Sequence, residues 1–261
     1  MSELKLNNKR TILVGLAFLS ICSFWQMYDN LVPLILKGTF GLDESLTGMI
    51  MAADNILALF LLPFFGGLSD RTNTKLGRRT PYILAGTAGA VVLMNLLPML
   101  DNSYFKQAAP FKLVSFVIVL GLLLIAMGTY RSPAVALMPD VTPKPLRSKG
   151  NAIINLMGAV GGVLYLGVSV LLYPREKTQG LVHVDYQPLF FIVSMIMLVA
   201  VAALLLTIRE PRLAEENREL EKKHPEWNLA KDDGSGGEVL PGPVKRSLIF
   251  LLASIALWYV G

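Results

Sequence analysis

Three ionisable side chains stand inside long apolar runs of this sequence, and any chemistry is sought there first: Asp29, Asp54 and Arg131. A charge at the centre of a bilayer costs at least about 2.5 to 3.5 kcal/mol, so it is rarely kept without a task. Asp29 lies seven residues before its run ends near residue 36, and Asp54 nine residues after its run starts near residue 45. At about 1.5 Å per helical residue, both sit roughly 10 to 14 Å below one surface. Two carboxylates at one depth suit the loading and release of a proton, or hydrogen bonding to sugar hydroxyls. The alternative is that each is held by a polar neighbour, Asn30 or Asn55, or faces a water-filled vestibule. Arg131, in GTYRSPAVALMPD, precedes Pro133, which loosens the helix hydrogen bonding there. Its forked donors suit either ligand hydroxyls or a structural ion pair. Trp25 and Tyr28 offer either a stacking face for a sugar ring or ordinary packing and interface anchors.

Helices must position these groups. The chain has 261 residues, 53% hydrophobic and only 16% charged, with a mean hydropathy of +0.53. Soluble domains carry about a quarter charged residues, so the composition describes an integral membrane protein. Six apolar segments, about 11–36, 45–66, 81–100, 112–139, 150–173 and 188–208, are each long enough to cross a bilayer. None shows the alternation of a barrel strand, and backbone in lipid must satisfy itself, so the fold class expected is all-α. In the fifth segment Gly158 and Gly162 form a small-xxx-small pair suited to close helix packing. The apolar run after MSELKLNNKR is too long for a signal peptide and has no cleavage pattern, so it reads as a retained first helix.

The loops orient the bundle. GGLSDRTNTKLGRRTPY, Gly66 to Tyr82, is polar and basic between two apolar runs. With both ends of the six-helix block inside, cytoplasmic segments hold ten cations: Lys5, Lys9, Arg10, Arg71, Lys75, Arg78, Arg79, Lys144, Arg147 and Lys149. The outer loops hold five, Lys37, Lys106, Lys112, Arg175 and Lys177, so the N-terminus is expected in the cytoplasm of a cell with this multi-pass protein in its plasma or inner membrane. The net charge of +5 is dealt among loops rather than clustered, which excludes a nucleic-acid partner. The single cysteine, Cys22, permits no intrachain disulfide. His183 and His224 fall in an outer loop and the central linker, and no metal-ligand, nucleophile or phosphate-loop pattern is present. No enzyme activity, metal or cofactor is expected.

Domain bounds follow. Residues 1–208 form a six-helix bundle and 209–246 a cytoplasmic central loop opening with a surface helix at PRLAEENRELEKK, where Glu219 and Lys223 are spaced i, i+4. GSGG and PGP, within 234–243, read as a tether, and 247–261 as the start of a seventh helix too short to span, so the chain is expected to be cut off.

The basic loop carries a resemblance. Gly66, Asp70, Arg71, Gly77, Arg78 and Arg79 match the G-x-x-x-D-R … G-R-R signature of the major facilitator superfamily, and the whole chain resembles its N-terminal half. The long spacing of DRTNTKLGRR, and the stretch from Arg131 to Asp140, look like the glycoside-cation symporters and, more closely, the sucrose-type proton symporters. The resemblance implies proton-coupled symport of a disaccharide or glycoside by alternating access between two six-helix halves. It implies that Asp70 caps a neighbouring helix N-terminus and that Arg78 binds a carboxylate, Asp140, so that the loop latches a gate. Ala58 and Leu62 stand where melibiose-type members carry coupling carboxylates, which favours protons over sodium. Two alternatives stand beside this reading. One is a transport-inactive half that acts as a membrane interaction module, with the C-terminal half or self-association completing it; the other is an exporter of small amphiphiles.

Overall fold

The structure, a computed structural model, describes residues 5–227, 246, 247, 249–251, 253 and 254. The tether at 234–243 and most of the seventh apolar run lie outside the described residues. The chain divides into two compact units, Met1–Lys222 and Lys223–Gly261. In the second, His224 stacks on Trp227 at 4.4 Å and bonds Glu226, and Arg246 lies over the Phe250 ring.

Among the described residues the first unit is helical, apart from one isolated bridge between Thr74 and Gly77. Its elements are α1 (Asn8–Gly38), α2 (Glu44–Arg71), α3 (Thr80–Lys106), α4 (Pro110–Val141), α5 (Arg147–Leu172), the short α6 (Arg175–Thr178), α7 (Gln187–Thr207) and α8 (Glu210–Lys223). Six of them, α1 to α5 and α7, are long and apolar enough to cross a membrane. The chain is therefore a multi-pass helical membrane protein.

Local chemistry sets the helix starts. Asn7 caps α1 by accepting from the Arg10 amide at 3.1 Å, and Asp43 caps α2 by accepting from Leu46 at 2.7 Å. Pro81, Pro110 and Pro188 open α3, α4 and α7, where a missing N–H costs nothing. The ends run past the apolar segments: α2 continues to Arg71 and α3 to Lys106 rather than stopping near 66 and 100. Those extensions are rich in polar residues, and each buries one, Ser69 and Asp101, against the bundle.

α1 is the central helix. It packs against α5 on one side and α7 on the other, while α3 and α4 form a tight hairpin and α2 leans on α4 at the edge. Phe24, Tyr28, Phe116, Tyr130 and Phe190 fill the core. In a solvent as apolar as the core itself, close backbone approach and interhelical hydrogen bonds hold the helices together. Ser23 Oγ donates to the Gly161 carbonyl of α5 at 2.8 Å, Tyr130 Oη of α4 to the Ala17 carbonyl at 3.0 Å, and Ser132 Oγ of α4 to the Leu62 carbonyl of α2 at 2.8 Å. The closest α1–α5 approach is at Gly161, where a Cβ would fall 2.1 Å from the Leu19 carbonyl oxygen. Of the pair singled out in the sequence, Gly158 is also buried against α1, where a Cβ would fall 2.9 Å from Cys22 Sγ, while Gly162 makes only ordinary contact; both border a groove beside this approach.

Candidate functional site

Helix starts and ends set the depth of the polar residues. Asp29 stands nine residues before the end of α1 and Asp54 ten after the start of α2, so both lie about 14 Å in from one end at 1.5 Å per residue. Their charges act on one another, and both act on Tyr28. Asn30 does not hold Asp29, because its amide donates to the Gln26 carbonyl at 2.6 Å. Asp29 is exposed along α1 and makes no hydrogen bond among the described residues. Asp54 is half-buried, and its Oδ1 accepts from the Asn55 backbone.

Arg131 comes from α4 toward the same place. Its guanidinium lies 5.5 Å from the centroid of the Trp25 ring, within cation–π range. It reaches no carboxylate at ion-pair distance among the described residues, although its charge acts on Asp54. Trp25, Asp54 and Arg131 line one nook between α1, α2 and α4, about 20 Å³ in volume. That space takes a single water. Trp25 also lines a groove of about 330 Å³ between α1 and α5, together with Gly158, Gly162, Cys22 and Gln26. Small-molecule sites begin near this size. Two buried polar atoms here, Trp25 Nε1 and Tyr28 Oη, have no hydrogen-bond partner among the described residues. Buried donors are nearly always paired, so each of these two has an unused hydrogen-bonding capacity that a water can meet.

The basic loop forms a second cluster at the far end of the bundle, and its roles differ in part from those the resemblance implies: the Arg78–Asp140 ion pair is present, but other residues carry the cap and the hub. Glu210, 2% exposed at the start of α8, caps α3. It accepts from the backbone N–H groups of Arg78 at 2.7 Å, Arg79 at 2.9 Å and Thr80 at 2.8 Å, and from the Thr80 hydroxyl at 2.8 Å. A carboxylate at a helix N-terminus is favourable through both hydrogen bonds and dipole. Asp70 does not cap this helix; it binds the Arg79 guanidinium. Arg79 rather than Arg78 is the buried hub, with Nε donating to Asp140 Oδ2 at 2.9 Å and Nη1 to Ser69 Oγ at 2.6 Å. Arg78 reaches Asp140 only at 3.6 Å, and Arg71 is exposed. Burial opposes the Arg79 charge, but the hydrogen bond and charge of Asp140, and then Asp70, raise its pKa above the ordinary guanidinium value. Gly66 brings α2 close to α4, since a Cβ there would meet Ser132 Oγ at 3.0 Å. Gly77 has φ +114°, and a Cβ on it would fall 2.3 Å from the Glu210 carboxylate.

Sequence reading missed Glu210, taking α8 as a solvated surface helix. The signal was available in its spacing. Glu210, Ala214, Asn217 and Glu221 fall at i, i+4, i+7 and i+11, one helix face, and that face is turned onto the bundle. Besides Glu210 on α3, Asn217 donates to the Asp140 carbonyl of α4 at 3.1 Å and Glu221 binds Arg147 of α5 at 3.1 Å.

A helical bundle with a polar face at mid-depth and a charge-locked loop at one end defines a class of membrane protein. Residues 14–261 match the sequence profile of the Major Facilitator Superfamily, and the chain belongs to that superfamily. It is 30% identical over 152 residues to the sucrose transport protein SUC3 of Arabidopsis thaliana, covering 54% of this chain and 25% of the relative. It is 28% identical over 167 residues to the sucrose transport protein SUT1 of Oryza sativa subsp. japonica, covering 59% and 31%. Similarity to solute carrier family 45 member 3 of Homo sapiens is 25% over 185 residues, covering 69% and 33%. The chain spans about a quarter to a third of the length of the curated relatives it matches.

Proposed function

We propose that the chain is the N-terminal bundle of a secondary transporter that moves a sugar together with a proton by alternating access. In this reading the N-terminus and the basic loop lie in the cytoplasm, residues 1–208 form the bundle, 209–246 the connecting segment and 247–261 the start of a seventh helix. The observation that carries it is the convergence of Trp25, Asp54 and Arg131 on one nook, with Tyr28 edge-on against Trp25, and with Trp25 also bordering a groove of about 330 Å³ between α1 and α5. Sugar binding calls for an aromatic face, carboxylates for the hydroxyls and a fork of donors, and these four supply all three. The sucrose transport proteins among the relatives support the same substrate class.

Asp54, beside Arg131, is the proton carrier of choice, and Asp29, exposed at the same depth, the group that exchanges with it. Glu210, Asp70, Arg79 and Asp140 latch the cytoplasmic end. The test is uptake of labelled disaccharides, with and without a protonophore, in cells expressing the protein's full reading frame. Protonophore-sensitive accumulation is expected. Asp54→Asn should abolish accumulation against a gradient while leaving membrane insertion intact, with Asp29→Asn weaker in the same direction. Full accumulation by both variants would overturn the assignment.

A further inference from the structure

A groove of about 560 Å³ opens at the basic end, between the first turn of α1, the last residue of α7 and the first turns of α8. Four cations line it: Lys9, Arg10, Arg209 and Arg212. One carboxylate, Glu216, opposes them, which leaves a net charge of +3. Glu216 is shared between Arg10 at 3.8 Å and Arg212 at 2.9 Å. Lys9 and Arg209 are exposed and make no ion pair among the described residues. The N-terminal amide end of α1, itself a partial positive charge, lies at the same place.

We propose that this groove binds the phosphate of an anionic phospholipid. Its depth argues for lipid over a soluble anion. Thr207 and Ile208 are where α7 ends, and Lys9 and Arg10 are where α1 begins, so the cations ring the level at which the spans leave the hydrocarbon. The floor is apolar: Ile208 is buried, and Leu13 and Leu213 are half-buried. Leu206, 84% exposed in the last turn of α7, adds apolar surface next to Thr207 in the chain. A phosphate diester held by the cations would set its glycerol against Leu13 and Ile208. A bare phosphate would use only the charges. Basic pockets between helix ends hold lipid headgroups by this combination. A bound lipid would tie α1 to the α7–α8 junction and so brace the helix that carries Glu210. The inference is independent of the transported substrate.

The test titrates the purified full chain in detergent with short-chain phosphatidylglycerol, phosphatidylcholine and inorganic phosphate. Bound molecules are counted by native mass spectrometry and thermal stability is followed in parallel. Phosphatidylglycerol should bind and stabilise where phosphatidylcholine does not. Lys9→Gln and Arg209→Gln should each weaken it about fivefold, and together roughly 25-fold. Glu216→Gln should tighten binding about fivefold, a gain that a misfolded variant would not show. Unchanged phosphatidylglycerol affinity in the double variant, or equal binding of phosphatidylcholine, overturns the proposal. Stabilisation by inorganic phosphate alone to the same extent overturns the lipid assignment.

Discussion

At the scale of single residues, one glycine and one glutamate explain the loop signature. Gly77 is needed twice, for its φ of +114° and because the Glu210 carboxylate occupies the space of a Cβ. Gly77→Ala should therefore cost about 3 kcal/mol, the backbone penalty plus loss of part of the α3 cap. In a Glu210→Ala background the second part is already gone, so the added cost should fall to about 1–2 kcal/mol. Thermal unfolding of the four proteins in detergent measures this; strict additivity would separate the glycine from the cap. Arg79 is a different case. Its side chain is 6% exposed and bound by Asp140 and Asp70 at once. Arg79→Gln removes the charged hydrogen bonds to Asp140 and Ser69, leaving Asp140 only the longer Arg78 pair and Asp70 its solvent, and should destabilise by about 2–3 kcal/mol, whereas Arg78→Gln, at the rim, should cost under about 1 kcal/mol. Equal losses in the two variants would refute the hub assignment.

At the scale of elements, α5 shows how one helix uses its glycines for two ends. Gly161 touches the α1 backbone at Leu19, and a methyl there has no room. Gly161→Ala should force α1 and α5 apart at a cost of about 2–3 kcal/mol. Gly162 meets only Gln26 at ordinary contact, 3.4 Å, and floors the groove. Gly162→Val should leave the fold near wild type and fill the groove, so that disaccharide uptake falls at least about tenfold with unchanged protein in the membrane. A destabilised Gly162→Val with normal uptake would remove the groove from consideration. The sequence marks α5 as glycine-rich but cannot tell which glycine faces the neighbour backbone and which the groove, because Gly158, Gly161 and Gly162 lie within little more than one turn and the distinction depends on where α1 crosses. Helix existence and number were legible from the apolar runs. Helix ends were less so, since the terminal turns of α2 and α3 bury single polar groups that composition counts as loop.

At the scale of the molecule, the two ends are held by unlike chemistry. The basic end is locked by Arg79, Asp140, Asp70 and the Glu210 cap; the other is stitched by His183, which bonds Asn102 at 2.7 Å and Thr39 at 3.2 Å and stacks on Phe105. Asp29, Asp54 and Arg131 were legible as charges in apolar runs, and the shared depth of the two carboxylates followed from helix rise. The approach of Arg131 to Trp25 rather than to a carboxylate was not, because it depends on the rotation of α4 about its axis. If the basic-end lock and the groove belong to one rocking unit, breaking the lock should change access to the groove. Cys22 reports this directly, being the single cysteine and a wall of the groove. It lies fourteen residues into α1, about 21 Å from the basic end at 1.5 Å per residue, too far for Arg79 to touch it. Arg79→Gln should raise the rate of Cys22 alkylation by a membrane-impermeant maleimide added from the basic-loop side several-fold, and a transported disaccharide should slow it again. Arg78→Gln, which leaves the hub intact, should label like wild type. Identical rates in all three proteins would mean that lock and groove are energetically independent, and the network at the basic end would then serve folding alone.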